Sequence, residues 1–195
     1  MGALTEIGSL LINTLFYLYI AAILLRLLLQ MAKADFYNPL SQFLVKATKP
    51  ALQPLRRLVP GFLGIDFAAI VLALLVQMLG IFLLVQIYGV GVINPIQLVF
   101  WSVLGCLNIV VSIYFVAILV SIIVSWVAPG SYNPLVLLLH QLTEPVMKPF
   151  RKLLPPMGGI DLSPIFVFLS INVLQIIIKH LAATVGMIPA LVIGM

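Results

Sequence analysis

Charge is what this sequence has least of. Asp, Glu, Lys and Arg make up only 8% of its 195 residues, against about 25% in soluble domains, so it lacks the polar surface that a water-soluble fold needs. Soft ligands are scarce too. A single cysteine, Cys106, excludes an intramolecular disulfide, a CxxC redox pair and a thiolate-rich metal site, and leaves His140 and His180 as the only imidazoles. There is no Walker loop, HExxH or GxSxG, which removes the familiar signatures of phosphate binding, zinc hydrolysis and serine hydrolysis. The expectation is a protein that is not an enzyme, carries no metal or cofactor, and does not contact nucleic acid directly.

What fills the chain instead is apolar: 64% of residues, with a mean hydropathy of +1.28. About 20 apolar residues cross the roughly 30 Å hydrocarbon core, and four stretches are long enough: 7–30, 66–89, 102–126 and 161–183. The first has no Lys or Arg ahead of it and no Ala-x-Ala pattern, so it reads as a retained span rather than a cleaved signal. Eight of the ten basic residues lie in two segments: Lys33, Lys46, Lys49, Arg56 and Arg57 after the first span, and Lys148, Arg151 and Lys152 after the third. The positive-inside rule places both of these long loops in the cytoplasm and both termini in the periplasm. Arg26 and Lys179, near span ends, then snorkel to the headgroups. The fold class is an all-α membrane protein of four transmembrane helices.

The sequence is duplicated at an offset of 95 residues. Tyr37-Asn38-Pro39-Leu40 returns as Tyr132-Asn133-Pro134-Leu135; Thr48 and Pro50 as Thr143 and Pro145; Pro54, Arg56, Leu58 and Pro60 as Pro149, Arg151, Leu153 and Pro155; Gly64-Ile65-Asp66 as Gly159-Ile160-Asp161. In the spans, Asn13 matches Asn108 and Gln77 matches Asn172. The boundary falls between a first repeat, 1–91, and a second, 92–195. Each has two spans, so the two insert in parallel, related by an axis along the membrane normal. The run from Ile96 to Val127 exceeds one upright span, and the alignment leaves 96–101 as an interfacial lead-in ending in Phe100 and Trp101.

Asn38-Pro39 and Asn133-Pro134 are N-cap and N1 signals. Behind them, Leu40, Phe43, Leu44 and Ala47, and Leu135, Leu138, Leu139 and Leu142, fall on one helical face. Each repeat is therefore expected to lay an amphipathic helix along the cytoplasmic surface. Pro50 with Pro54, and Pro145 with Pro149, are expected to end these helices in short turns. Arg56, Arg57, Arg151 and Lys152 reach headgroup level, and Asp66 and Asp161 open the following spans as helix caps or partners of the arginines. With Ser163 they form the candidate lipid- or partner-binding set. Asn13, Asn108, Gln77 and Asn172 are the uncharged polar residues of the spans, read as helix-packing contacts or a polar path. Tyr88-Gly89-Val90-Gly91 occurs once, whereas a potassium filter needs four converging copies.

These motifs resemble the repeat of the YggT family, also called YlmG, over nearly the whole chain: a Tyr-Asn-Pro start, a Thr-x-Pro-x-x-x-Pro-x-Arg core and a Gly-Gly-Ile-Asp-Leu-Ser-Pro ending. The second repeat has that ending intact, from Gly158 to Pro164, while the first reads Leu63-Gly64-Ile65-Asp66-Phe67-Ala68-Ala69. If Ser and Pro serve a site, only the second repeat retains it. The resemblance implies a bacterial inner-membrane or plastid-membrane protein, linked in bacteria with osmotic tolerance and in relatives with cytochrome assembly, membrane or nucleoid organisation and division. The expected function is a non-enzymatic membrane organiser or assembly factor whose partners are anionic lipid headgroups and a membrane protein or a second copy. The alternative is a small channel or osmolyte pathway along the Asn and Gln positions.

Overall fold

The computed structural model describes residues 2–62, 64–128, 130–153 and 161–195. Leu63 and Gly158, Gly159 and Ile160 of the two turn motifs, and Leu154-Pro155, lie outside them. Six helices follow in order: α1 (Ala3–Met31), α2 (Pro39–Leu58), α3 (Phe67–Tyr88), α4 (Pro95–Val127), α5 (Pro134–Leu153) and α6 (Ser163–Thr184). α1, α3, α4 and α6 are each long and apolar enough to cross a membrane. At 1.5 Å per residue, α3 and α6 are about 33 Å long and match the hydrocarbon core, whereas α1 and α4 reach about 44 and 50 Å and must tilt or project beyond it.

The outside of this bundle is apolar. Leu15, Leu75, Phe82, Ile123, Leu169 and Ile176 are among many large hydrophobic side chains left exposed, the inverse of a water-soluble surface and the pattern that lipid requires. Inside, small residues bring helices together: Ala68, Ala69 and Ala73 of α3 are buried where it packs on α1. Phe115 and Phe168 meet edge to face at 5.2 Å where α4 meets α6. α4 is one continuous 33-residue helix, and residues 96–101 are its first turns, within the length by which it exceeds one upright span. Trp101 is buried and its indole N–H donates to the Val185 carbonyl at 3.3 Å. It is a packing residue, not an exposed interfacial anchor.

α2 and α5 start as the Asn-Pro signals require. The Asn38 side chain accepts from the Leu40 N–H at 3.0 Å, and the Asn133 side chain from that of Leu135 at 2.9 Å. They do not stop at the prolines. Each runs 20 residues, through Pro50 and Pro54 or Pro145 and Pro149. The two prolines of each pair are four residues apart and exposed, as are Lys46 and Gln141, so the carbonyls that lose a donor open on the outward face where water or headgroups can satisfy them.

The expected apolar stripe also divides. Leu44, Leu138 and Leu142 are buried against the bundle, whereas Phe43 and Leu135 stay exposed. The inward stripe of α2 is instead Ser41, Leu44, Thr48 and Leu52, and that of α5 is Leu138, Leu142, Thr143 and Met147.

The two repeats touch where these helices meet. Asn38 Nδ2 donates to the Pro134 carbonyl at 2.5 Å, and the Asp35 backbone N–H donates to Gln141 Oε1 at 3.0 Å. Leu44 of one helix and Leu138 and Leu142 of the other share a cluster with Leu28, Leu29 and Ala117. α2 and α5 thus form a single layer across one end of the bundle.

The remaining 11 residues hold a feature the sequence did not announce. After α6 the chain turns at Gly186 and folds back, with a short 3-10 turn at Pro189–Leu191, so that Leu191, Val192 and Ile193 are buried among α1, α3 and α4. The Gln77 amide donates to the Ile193 carbonyl at 3.0 Å and the Asn108 amide to that of Gly194 at 2.5 Å.

Candidate functional site

Two clasps repeat at the layer end. In the first repeat, Arg56, in the last turn of α2, reaches Asp66, the residue before α3. Its Nε donates to Oδ2 at 3.1 Å and its Nη2 approaches the same oxygen. Asp66 makes no cap hydrogen bond to α3, so the arginine takes the carboxylate that was expected to cap the helix. The carboxylate side chain is 7% exposed and the arginine 41%. A third charge completes the group. Arg26 of α1 is buried, donates through Nη1 to Thr48 Oγ1 at 2.6 Å, and lies within the field of Arg56 and Asp66. The Thr48 hydroxyl in turn donates to the Leu44 carbonyl at 2.7 Å. Arg26 therefore points inward to tie α1 to α2, and does not snorkel.

The second repeat builds the same clasp in the open. Arg151 Nε donates to Asp161 Oδ2 at 3.0 Å, and its Nη1 donates to Glu144 Oε2 at 2.5 Å. The carboxylate's other oxygen accepts the Ser163 N–H at 2.9 Å, so Asp161 caps the start of α6 as well as pairing with arginine. Partial burial pushes the Asp161 carboxyl up, but the adjacent Ser163 hydroxyl and N–H and the Arg151 guanidinium more than offset this, holding it below its ordinary value of 3.8. The clasp stays ionised at neutral pH. Ser163 itself is fully buried, its hydroxyl beside Asp161.

The halves differ most at positions where the repeat fails to match. At the offset of 95, Arg26 corresponds to Ser121, Lys49 to Glu144 and Val45 to His140. Where Arg26 fills the first repeat, the second has a cleft of about 380 Å³ lined by Ser121, Ser125, Trp126, His140, Thr143 and Asp161 among others. Ser121 Oγ and His140 Nδ1 face each other across 3.4 Å. Neither Arg26, Thr48 nor His140 was picked out as a site residue from the sequence. The signal that could have found them is Thr48 matching Thr143, beside a position where arginine has become serine.

The other candidate residues lie apart. Arg57 and Lys152 are exposed on the layer, outside the clasps. Asn13 donates back to the Ser9 carbonyl at 3.0 Å and Asn172 to that of Phe168 at 2.8 Å, each within its own helix. Gln77 and Asn108 are engaged with the C-terminal segment, and Asn13 shares a shallow recess with Gly194. Each of the four amides thus donates to a backbone carbonyl, two within their own helix and two on the C-terminal segment. Among the described residues, no three His, Cys, Asp or Glu side chains gather as a metal site.

Sequence comparison agrees with this two-part geometry. A family model described as CCB3/YggT matches twice, over residues 5–87 and 100–182, one match per repeat. An uncharacterized protein of Pseudomonas aeruginosa is 51% identical over 178 residues, covering 90% of each chain. The uncharacterized protein YggT of Escherichia coli is 36% identical over 178 residues, 90% of this chain and 91% of its own. YlmG homolog protein 2, chloroplastic, of Arabidopsis thaliana is 37% identical over 71 residues, 35% of this chain and 26% of its own. No solved structure matches. With two family matches laid over two copies of one helix-layer-helix unit, the chain belongs to the CCB3/YggT family.

Proposed function

We propose that this protein is a non-enzymatic organiser of its membrane, a scaffold or assembly factor in a bacterial inner membrane. The layer of α2 and α5 faces the cytoplasm and both termini face the periplasm. One observation carries the reading: two amphipathic helices from separate repeats meet near their N-terminal ends through the Asn38–Pro134 and Asp35–Gln141 hydrogen bonds, and each is clasped to the next span by an Arg–Asp pair. A surface that presents cations to headgroups or to a partner has use for such a layer. Arg57 and Lys152 are exposed cations of that pattern, together with Lys46, Lys49 and Lys148, each contributing about 1 kcal/mol against an anionic leaflet, while Phe43 and Leu135 supply apolar contact near the other end of each helix. The osmotic and assembly roles implied by the family resemblance would be exercised through this surface. The amides do not favour the channel alternative, because Gln77 and Asn108 are already spent on the C-terminal segment.

Two measurements test it. A cysteine placed at exposed Gln53 should stay unlabelled by a membrane-impermeant maleimide in intact cells and react after permeabilisation; labelling in intact cells would invert the topology and remove the headgroup argument. An Arg57→Gln/Lys152→Gln variant should retain less co-purifying anionic lipid or membrane-protein partner than wild type, at unchanged folding. An identical lipid and partner profile would defeat the organiser reading.

A further inference from the structure

The first repeat shows what the cleft of the second was built around. Arg26 puts a guanidinium between α1 and α2, held by Thr48 and within the field of Arg56 and Asp66. The equivalent place between α4 and α5 keeps the threonine, Thr143, and the carboxylate, Asp161, but replaces the arginine by Ser121, and none of the described residues fills the space. Charge changes in the same sense. Arg26 and Arg56 against Asp66 become Arg151 alone, one guanidinium shared between Asp161 and Glu144. Arg151 and Asp161 both line the cleft, which keeps the first repeat's carboxylate and has lost its second arginine.

We propose that this cleft binds a small organic cation bearing a guanidinium or primary ammonium group. The head takes the place of the Arg26 guanidinium, between Thr143 and Asp161. Asp161 accepts its N–H donors as a charge-assisted pair, and the Ser121 hydroxyl, facing the His140 ring, is a further acceptor beside it. Trp126 and the Met147 side chain line the same cleft, an aromatic face and a polarisable thioether suited to the edge of a cation. The volume suits a ligand of a few heavy atoms, or the headgroup of an aminolipid entering from the leaflet. The inference goes beyond the organiser reading and does not depend on it: the site concerns the cleft beneath α5, not the outer cations Arg57 and Lys152.

The probe is propylguanidinium, the arginine side chain itself, titrated into the full-length protein in phosphatidylglycerol nanodiscs. A Trp101→Phe background leaves Trp126 as the single tryptophan reporter. Saturable quenching or shift of Trp126 emission is expected, weakened about ten- to hundredfold by Asp161→Asn, the loss expected when one charged hydrogen-bond partner is removed. The decisive variant is Ser121→Arg, which rebuilds the first repeat's arrangement. It should abolish binding while the melting temperature holds or rises, separating a filled site from a misfolded one. Doping the nanodiscs with phosphatidylethanolamine distinguishes the source: competition by the lipid identifies its headgroup as the natural occupant, and its absence identifies a free cation. No saturable signal, or affinity unchanged in Ser121→Arg, overturns the proposal, whatever the layer's lipid and partner profile turns out to be.

Discussion

An Asp66→Asn variant is expected to lose about 3 kcal/mol of stability, while Asp161→Asn, the same change at the matching residue, loses less than about 1 kcal/mol. The two clasps use one sequence pattern, arginine ten residues ahead of aspartate, but sit in different dielectrics. Asp66 is 7% exposed and shares its surroundings with the buried Arg26 as well as Arg56. Neutralising it leaves an arginine inside the fold with no carboxylate to balance it, a break that costs about 3 to 5 kcal/mol in buried pairs. The lower figure applies because Arg56 remains 41% exposed and can turn to water. Asp161 and Arg151 are 40% and 43% exposed, so solvent screens their pairing. The asparagine also keeps an acceptor for the Ser163 N–H, leaving the cap in place. For a chain of this size these figures translate to about 6 to 12 °C and less than about 4 °C of melting temperature. Cys106, the one cysteine, is buried in the core, so a thiol-reactive fluorophore reports unfolding directly. Equal shifts from the two variants would show that burial does not set the difference. An Arg26→Met/Asp66→Asn double variant should recover part of the loss, since it removes the charge left without a partner.

The spans and the clasps were legible because each leaves a strong one-dimensional trace. Hydropathy alone placed four helices to within a few residues for α3 and α6, and identity across the 95-residue offset marked Arg56, Asp66, Arg151 and Asp161, where geometry tolerates few alternatives. Local rules misled where tertiary context overrode them. Pro50 and Pro54 would end a helix whose freed carbonyls were buried; here those groups face outward and the helix continues. Arg26 sits near a span end, a position that reads the same whether the side chain turns to the headgroups or into the bundle, and only Thr48 on a distant segment decides. The cleft was invisible for a different reason: it lies in mismatches, Arg26 with Ser121, Lys49 with Glu144 and Val45 with His140, and a search for repeats passes over what the halves do not share. The C-terminal segment has too few residues and too many turns to show a period. Its trace was indirect, in the amides at Gln77 and Asn108, whose acceptors are carbonyls of that segment rather than side chains of the spans.

Gly105→Val should dislodge that segment. A Cβ built on Gly105 would stand 2.4 Å from Gln77 Nε2 and 2.7 Å from Val192 Cγ1, well inside contact distance, and one obstacle is the amide that holds Ile193. Neither neighbour has free space to move into: Gln77 is fully buried, and Ile193 just beyond Val192 is too. Overpacking of this kind costs about 1 to 3 kcal/mol, and losing the Gln77 and Asn108 anchors adds roughly 0.6 to 2 kcal/mol for each interhelical-type hydrogen bond. The total, about 2 to 7 kcal/mol, should lower the melting temperature by at least about 4 °C. Stability alone would not separate a displaced segment from a strained α4, so a second readout is needed. In a Cys106→Ser background, a cysteine at Ile193 should react slowly with a maleimide when Gly105 is present and rapidly when valine replaces it, because the segment has left the core. Gly2→Val is the control, since nothing lies within 4 Å of the added Cβ there. A lower melting temperature with Ile193→Cys still protected would assign the cost to α4. In that case the amides, rather than the close approach at Gly105, would be what keeps residues 191–193 inside the bundle.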